Sequence, residues 1–149
     1  MRAYRLVEAR HAEGALSGEG AFVYGGRWNP PGYRLVYTAA HLSLAVLEVL
    51  VHTGDRVKLL DYYLIRLEIP AEHLEMLSPH ALPRNWPEQL ETTRELGREW
   101  LAEARSLALV VPSVVIPEEE NVLLNPAHPA MGEVEASAPE PFKFDPRLC

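Results

Sequence analysis

Residues Gly25 to Gly32 read GGRWNPPG, and no other stretch restricts the chain so tightly. Consecutive prolines do not belong in a helix interior, and glycines at either end open the backbone to turns closed to other residues. These residues must form a rigid, irregular connection, and they hold Arg27 in fixed surroundings beside Trp28. A planar, permanently charged guanidinium placed in this way suits bidentate contact with phosphate or carboxylate. What it grips is the question the rest of the sequence has to answer.

On either side the elements are short. Ala3–Val7 reads as a first strand, and Glu8 to Gly26 as a glycine-containing connection without a clear period. Arg34–Thr38 (RLVYT) has the β-branched and aromatic content of a strand. AHLSLAVLEVLVHTG reads as a helix that stops at Gly54, and Tyr62–Ile69 alternates as a strand. Between Pro70 and Pro87 the chain is irregular, with one helical turn at most.

Glu88–Ser106 has helical spacing, with Leu90, Leu96, Trp100, Leu101 and Ala104 near one face. Its Gly97 costs roughly 1 kcal/mol relative to alanine, so close packing is expected there. Leu107–Val111, Val114–Ile116 and Asn121–Leu124 read as closely spaced strands before a proline-broken tail, PFKFDPRLC. The expected class is α+β, a single domain over residues 1–149.

Composition removes several functions. The chain has 149 residues, 48% of them apolar, and can bury a core without staples. Its one cysteine, Cys149, allows neither a disulfide framework nor a cysteine zinc site within one chain. The N-terminus lacks the apolar core of a signal peptide and no apolar run is long enough to span a membrane, so a cytoplasmic location is expected. A net charge of -7 argues against direct nucleic-acid binding. The six histidines form no metal-binding pattern and the glycines no phosphate loop, so no metal is expected.

Glu48 is the most informative residue. Its helix is apolar nearly all the way round, which implies burial on most sides, and Leu44 and His52 share its face. A carboxylate there must find a cation or strong donors, with backbone amides and His52 as candidates. It is either a structural carboxylate or a working one. Arg27 has the same two readings, a turn arginine paired with an acid or a ligand grip. Tyr37, at the end of its strand, could offer ring and hydroxyl to a planar ligand. Ser113 follows Pro112 between apolar runs without the G-x-S-x-G elbow of a hydrolase nucleophile. Asn121 and Asn125 are hydrogen-bonding candidates or turn formers, and Glu118–Glu120 reads as a solvated acidic turn.

Taken in order, GGRWNPPG, VYTA, LAVLEVLVH, Trp86, the G-x-x-W of Gly97–Trp100 and VPSVVIPEEENVLLNP resemble the RES domain. The likeness runs from Tyr4 to the closing PFKFDPRL. The family is named for an arginine, a glutamate and a serine, which match Arg27, Glu48 and Ser113. The resemblance implies a bacterial toxin neutralised by an Xre-type antitoxin that carries the DNA-binding domain. It also implies an ADP-ribosyltransferase-like fold, a split, strongly bent sheet with helices around it.

The implied substrate is NAD⁺, with no prosthetic group, consumed by hydrolysis, by phosphorolysis or by transfer of ADP-ribose to a protein. On this footing Glu48 stabilises positive charge on the ribose and Arg27 holds the pyrophosphate or the adjacent ribose. Tyr37 stacks on nicotinamide, Ser113 orients ribose or Glu48, and His52 and Asn121 complete the substrate-binding set. The expected partners are the antitoxin, NAD⁺, inorganic phosphate and a second copy within the toxin–antitoxin complex. The alternative from another class is a silent antitoxin-binding module whose Arg27–Glu48 pair is only structural.

Overall fold

The computed structural model of the protein describes all 149 residues. In chain order the elements are β1 (Arg2–Glu8), α1 (Glu19–Tyr24), β2 (Val36–Ala39), α2 (Leu42–Thr53), β3 (Tyr62–Glu68) and β4 (Leu74–Met76). They continue as α3 (Leu90–Glu103), β5 (Ala108–Pro112), β6 (Glu120–Leu124), β7 (Glu135–Ala136) and β8 (Glu140–Phe142), with 3-10 turns between. The strands make one sheet in the order β4-β5-β6-β2-β1-β3-β7, and β8 also pairs with β3. All neighbours are antiparallel except β4 and β5. The class is α+β, as expected.

The sheet has a seam. β1 pairs with β3 along its whole length, Arg2↔Glu68 to Glu8↔Tyr62, but meets β2 at the single registered pair Tyr4↔Ala39. The Arg5 side chain works at this seam, donating from Nε to the Ala15 carbonyl (2.7 Å) and from Nη1 to the Tyr37 carbonyl (2.6 Å). The strands nevertheless form one continuous sheet, narrowest at this seam.

Strand alternation then assigns the faces. On one face Ala3, Val7, Val36, Ile65, Leu67, Val110, Val122 and Leu124 form the largest cluster of the core. On the other face the core is divided in two. α2 brings Leu44 and Ala45 against Leu6, Ala39, Tyr62 and Leu64. α3 and the Gly25–Gly32 segment bring Trp28 and Trp100 against Leu35, Leu109, Val111 and Leu123. Trp28 is 2% exposed and Trp100 1%; each buries on the order of 200 Å², roughly 5 kcal/mol of transfer free energy.

Most expected elements are found, and the departures have physical causes. Val114–Ile116 is not a strand: the Ser113 hydroxyl accepts the amides of Val115 (3.0 Å) and Ile116 (3.2 Å) and turns the chain there. Helix α1 was not visible because none of its residues is buried, so it leaves no apolar period. The short strands β4, β7 and β8 are edge pairings that two or three residues cannot announce. α2 does stop at Gly54, whose φ of 58° and ψ of −142° suit glycine.

Burial departs from expectation in several places. α2 is not covered on most sides, since only Leu44 and Ala45 are buried and Val51 is 63% exposed. The buried face of α3 is Thr93, Gly97 and Trp100, whereas Leu90 and Ala104 are exposed. Within the acidic turn Glu118 is solvated, but Glu119 is half-buried and its Oε2 is enclosed without a hydrogen-bond donor.

Candidate active site

The two divisions of the core meet around neighbouring residues of β2 and β6. Tyr37 lies opposite Leu123 and Ala39 opposite Asn121, so Tyr37 and Asn121 are diagonal neighbours on one face. Such neighbours are roughly 7–8 Å apart. Each one holds half of a site, Asn121 the carboxylate of Glu48 and Tyr37 the loop of Arg27.

Glu48 projects from the middle of α2, which the apolar residues Leu44 and Ala45 press onto the sheet. Its Oε1 accepts two hydrogen bonds, from Ser113 Oγ (2.9 Å) and from Asn121 Nδ2 (2.9 Å). Strand parity delivers both donors. Ser113 continues the Leu109–Val111 face of β5, and Asn121 shares the Leu123 face of β6. Ser113 is fully buried; its proton goes to Glu48 and its lone pairs take two amides. It orients Glu48 and has nothing left with which to attack a substrate. Glu48 Oε2 takes no hydrogen bond from the protein and is not enclosed. One carboxylate oxygen is thus fixed, and the other is free to face positive charge.

The Arg27 side is built from backbone. The Tyr37 hydroxyl donates to Asn29 Oδ1 (2.6 Å) and accepts the Trp28 amide (2.9 Å). Burial pushes this phenol above its ordinary range, and the opposing pull of the Arg94 and Arg27 charges does not overcome it. Asn29, fully buried, has Nδ2 within 3.0 Å of the carbonyls of Ala21, Pro30 and Tyr33. The glycines are spacers here. A Cβ on Gly26 would stand 2.5 Å from the Tyr37 hydroxyl oxygen, and Gly25 needs a φ of 71°.

α3 splints the same loop at three successive loop residues, Gly26, Arg27 and Trp28. Arg94 Nε donates to the Gly26 carbonyl (2.9 Å) and Thr93 Oγ1 to the Arg27 carbonyl (2.6 Å). Gly97 lies so close to Trp28 that a Cβ would sit 1.6 Å from its carbonyl oxygen. That contact is the close packing the helix glycine called for. Arg27 itself donates from Nη1 to the Pro87 carbonyl (2.8 Å) and forms an ion pair with no acid, Glu48 included. The Trp28–Trp86 ring contact, 5.8 Å between centroids, closes the same corner.

These three residues, an arginine in a braced loop, a glutamate on an apolar helix and a buried serine bonded to it, stand in one sequence pattern. The RES domain profile matches residues 2–145. The chain belongs to the RES domain family. A relative named Toxin Res from Yersinia enterocolitica is 42% identical over 99% of both chains. Another Toxin Res, from Photorhabdus laumondii, is 46% identical over 83% of this chain and 80% of its own. A protein of a Sphingobium species named Prs ADP-ribosylating toxin is 39% identical over 89% of this chain and 86% of its own. The fold is shared with a solved structure, the M. tuberculosis MbcT–MbcA toxin–antitoxin complex, at a TM-score of 0.80 and 19% identity. That likeness covers 95% of this chain and 84% of the other.

In this RES domain Ser113 and Asn121 meet Glu48, and Tyr37 holds the loop that carries Arg27, with corrections to the other expectations. His52 is exposed and does not reach Glu48; Asn121 takes the place expected of it. The Tyr37 hydroxyl is committed to the loop, so only its ring remains to meet a ligand. Asn125 is a turn former, accepting the Ala127 amide. The RES domain also contains a side-chain group with donor types suited to a cation, Glu72, His73 and Glu133, in which His73 Nε2 and Glu133 Oε2 are 2.9 Å apart. None of its members touches Glu48 or Arg27.

Sequence reasoning missed Asn29, Thr93, Arg94 and Arg5. For Arg5 a signal existed: alternation in RAYRLVE puts it on the same face as the buried Ala3 and Val7. Burial lowers its pKa to about 10, with no carboxylate to offset the cost. For Arg94 and Thr93 the signal was Gly97, one turn away on the same helix face.

Proposed function

We propose that this RES domain is a cytoplasmic toxin that cleaves NAD⁺ at the nicotinamide–ribose bond and depletes it, and that an Xre-type antitoxin holds it in check. The observation that carries the reading is the divided carboxylate of Glu48, one oxygen fixed by Ser113 and Asn121 and the other open. When the C1′–N bond breaks, its electron pair passes to the pyridinium nitrogen. Nicotinamide leaves neutral and the ribose becomes an oxocarbenium-like cation. A fixed anion aimed at that carbon stabilises the charge as it develops, which can supply roughly 3–4 kcal/mol. An oxygen of water or of inorganic phosphate then bonds to C1′; when water attacks, its proton goes to the Glu48 carboxylate. Arg27, with no acid of its own, holds the anionic part of the substrate.

Val51 and Val114 are 63% and 37% exposed, next in the chain or one turn from the site residues Ser113 and Glu48. Apolar surface there is what a protein partner would cover. No helix is long and apolar enough to cross a membrane. The test is incubation of the pure protein with NAD⁺, with and without inorganic phosphate. Nicotinamide release is followed together with the mass of the sugar product, and Glu48→Gln is the control. Release that is lost in the variant is the expected result; release unchanged in the variant would end the assignment of Glu48.

A second reading, transfer of ADP-ribose to a protein, is favoured by the Sphingobium relative, which is named an ADP-ribosylating toxin. It predicts radiolabel from NAD⁺ on a partner protein and little nicotinamide release without one.

A further inference from the structure

The connection from β3 to β4 poses a problem of reach. In the strand order β4-β5-β6-β2-β1-β3-β7 these two strands stand five places apart, roughly 24 Å across a flat sheet. Only residues 69–73 join them, and Ala71–His73 is a 3-10 turn. Even fully extended, that much chain spans at most about 20–22 Å. The sheet must therefore curl until its ends approach.

Where they approach, Glu72, His73 and Glu133 come together, with one donor atom of each within 4.8 Å of the others. Glu133 ends the 3-10 turn Pro129–Glu133, which leads into β7 at the other end of the strand order. Both turns are held without help from this group. The Pro70 carbonyl accepts the His73 amide (3.1 Å), and His128 Nδ1 accepts the Ala130 amide (3.0 Å). Leu74, Met131 and Val134, close along the chain to His73 and Glu133, pack against the largest cluster of the core.

The donors suit a metal ion. His73 Nε2 and Glu133 Oε2 are 2.9 Å apart. A tetrahedral Zn²⁺ with bonds of about 2.0–2.1 Å separates its ligands by roughly 3.3 Å, so the pair has to open by only a few tenths of an ångström. Neither Glu72 nor Glu133 pairs with an arginine or lysine, although arginines serve acids elsewhere on the surface. Two carboxylates and a neutral imidazole balance the charge of a divalent ion, and water completes its shell. His128, its ring centroid 6.1 Å from that of His73, is not a fourth ligand, because Nδ1 takes the Ala130 amide and the proton sits on Nε2. Mixed imidazole and carboxylate donors select zinc and its transition-metal neighbours over Mg²⁺ and Ca²⁺, which prefer oxygen alone. Histidine spacing could not reveal the group, since Glu133 lies 60 residues beyond His73.

We propose that Glu72, His73 and Glu133 bind a divalent ion of the zinc class, which clasps the two ends of the curled sheet. The site is separate from Glu48 and Arg27 and does not depend on the cleavage reading. An ion that binds only the closed arrangement stabilises the folded chain by linkage.

Thermal unfolding and calorimetry of the full chain, stripped of metal with EDTA and dialysed, test this. Zn²⁺ at about a hundred times its dissociation constant should raise the melting temperature by about 5–10 °C. Calorimetry should show saturable Zn²⁺ binding, and Mg²⁺ and Ca²⁺ should give neither signal. His73→Ala should lose both signals, and Glu72→Gln and Glu133→Gln should weaken them. Glu135→Gln, which removes a charge from β7 but no ligand, should keep both. Co²⁺ should give visible ligand-field bands that added Zn²⁺ abolishes.

No saturable Zn²⁺ binding by the wild type overturns the site. So does binding that His73→Ala leaves intact, which places the ion at another histidine or at Cys149. An equal melting shift with Ca²⁺, or an equal loss in Glu135→Gln, reduces the effect to screening of an acidic surface and overturns it as well. If His73→Ala fails to fold, the Co²⁺ bands decide: bands weakened by Glu133→Gln support the site, and bands absent or unchanged overturn it.

Discussion

Arg27 stands in a loop without regular structure and Glu48 in the middle of a helix, yet the loop is the more firmly tied of the two. Trp28 and Asn29 are buried, and the carbonyls of Gly26 and Arg27 are each held by a side chain of α3. α2 buries only Leu44 and Ala45 and leaves Val51 largely in solvent. The cation is therefore fixed through its backbone, by groups that hold the loop whether or not a ligand is present. The anion is fixed through its own side-chain oxygen, by Ser113 and Asn121. A loop lacks the internal hydrogen bonds of a helix, so it must borrow them from neighbours; a helix supplies its own and needs help only at the side chain.

The comparison is easiest to break at its chemical end. Glu48→Gln keeps the size of the side chain and removes the charge. Nicotinamide release should fall by about 10²- to 10³-fold, roughly 3–4 kcal/mol, while ADP-ribose affinity stays near wild type. A parallel loss of binding would move Glu48 from charge stabilisation to substrate positioning.

Gly97→Ala tests the loop. Its Cβ meets the Trp28 carbonyl, which cannot retreat without disturbing a buried tryptophan, so thermal unfolding should show a loss of about 3 kcal/mol. Val51→Ala on exposed α2 should shift stability by no more than about 0.5 kcal/mol. Equal melting temperatures for the two variants would contradict the claim that the loop side carries the packing.

Ser113→Ala removes one of the two bonds to Glu48 Oε1 and leaves Asn121 in place. Turnover should drop about 10-fold, near 1.5 kcal/mol, which is the lower end for a hydrogen bond to a charged group. Retained turnover would show that Asn121 alone positions the carboxylate.

The smallest effect lies outside the cleft, where α3 is pinned to β4. Trp100 Nε1 donates to Ser106 Oγ (2.7 Å), Ser106 donates to Glu75 (2.9 Å), and Arg105 pairs with the same carboxylate. The Arg105 hydrogen bond holds the Glu75 carboxyl below its ordinary value. The unfolded chain therefore takes up that proton more readily. The stabilisation is complete above the unfolded carboxylate's pKa of about 4.3 and fades as pH falls through the folded value. Glu75→Gln should cost only about 0.5 kcal/mol at neutral pH, because Arg105 is half-exposed and screened. Denaturant unfolding at pH 7 and below pH 4 would show the difference shrink; a difference that grew in acid would reverse the assignment.

Much of this was legible in the chain itself. Periodicity gave β1, α2, β3, α3, β5 and β6 nearly to their ends, because an apolar face that must be buried repeats locally. GGRWNPPG marked Arg27 as braced, since few backbones accept glycines and prolines in that order. Glu48 declared its need for donors by its apolar neighbours.

What the chain could not state was which groups would answer. The donors to Glu48 come from 65 and 73 residues away, and Arg94 and Thr93 reach the loop across 68 and 66. Such partners are set by strand register and by where α3 lands on the sheet, neither of which has a local signature. His52, one turn along the same helix, was the neighbour that local spacing offered, and it points to solvent instead. Local pattern determines which residues must find a partner; only the packed sheet decides who the partner is, because hydrogen bonds of this kind are closed by the register of strands far apart in sequence.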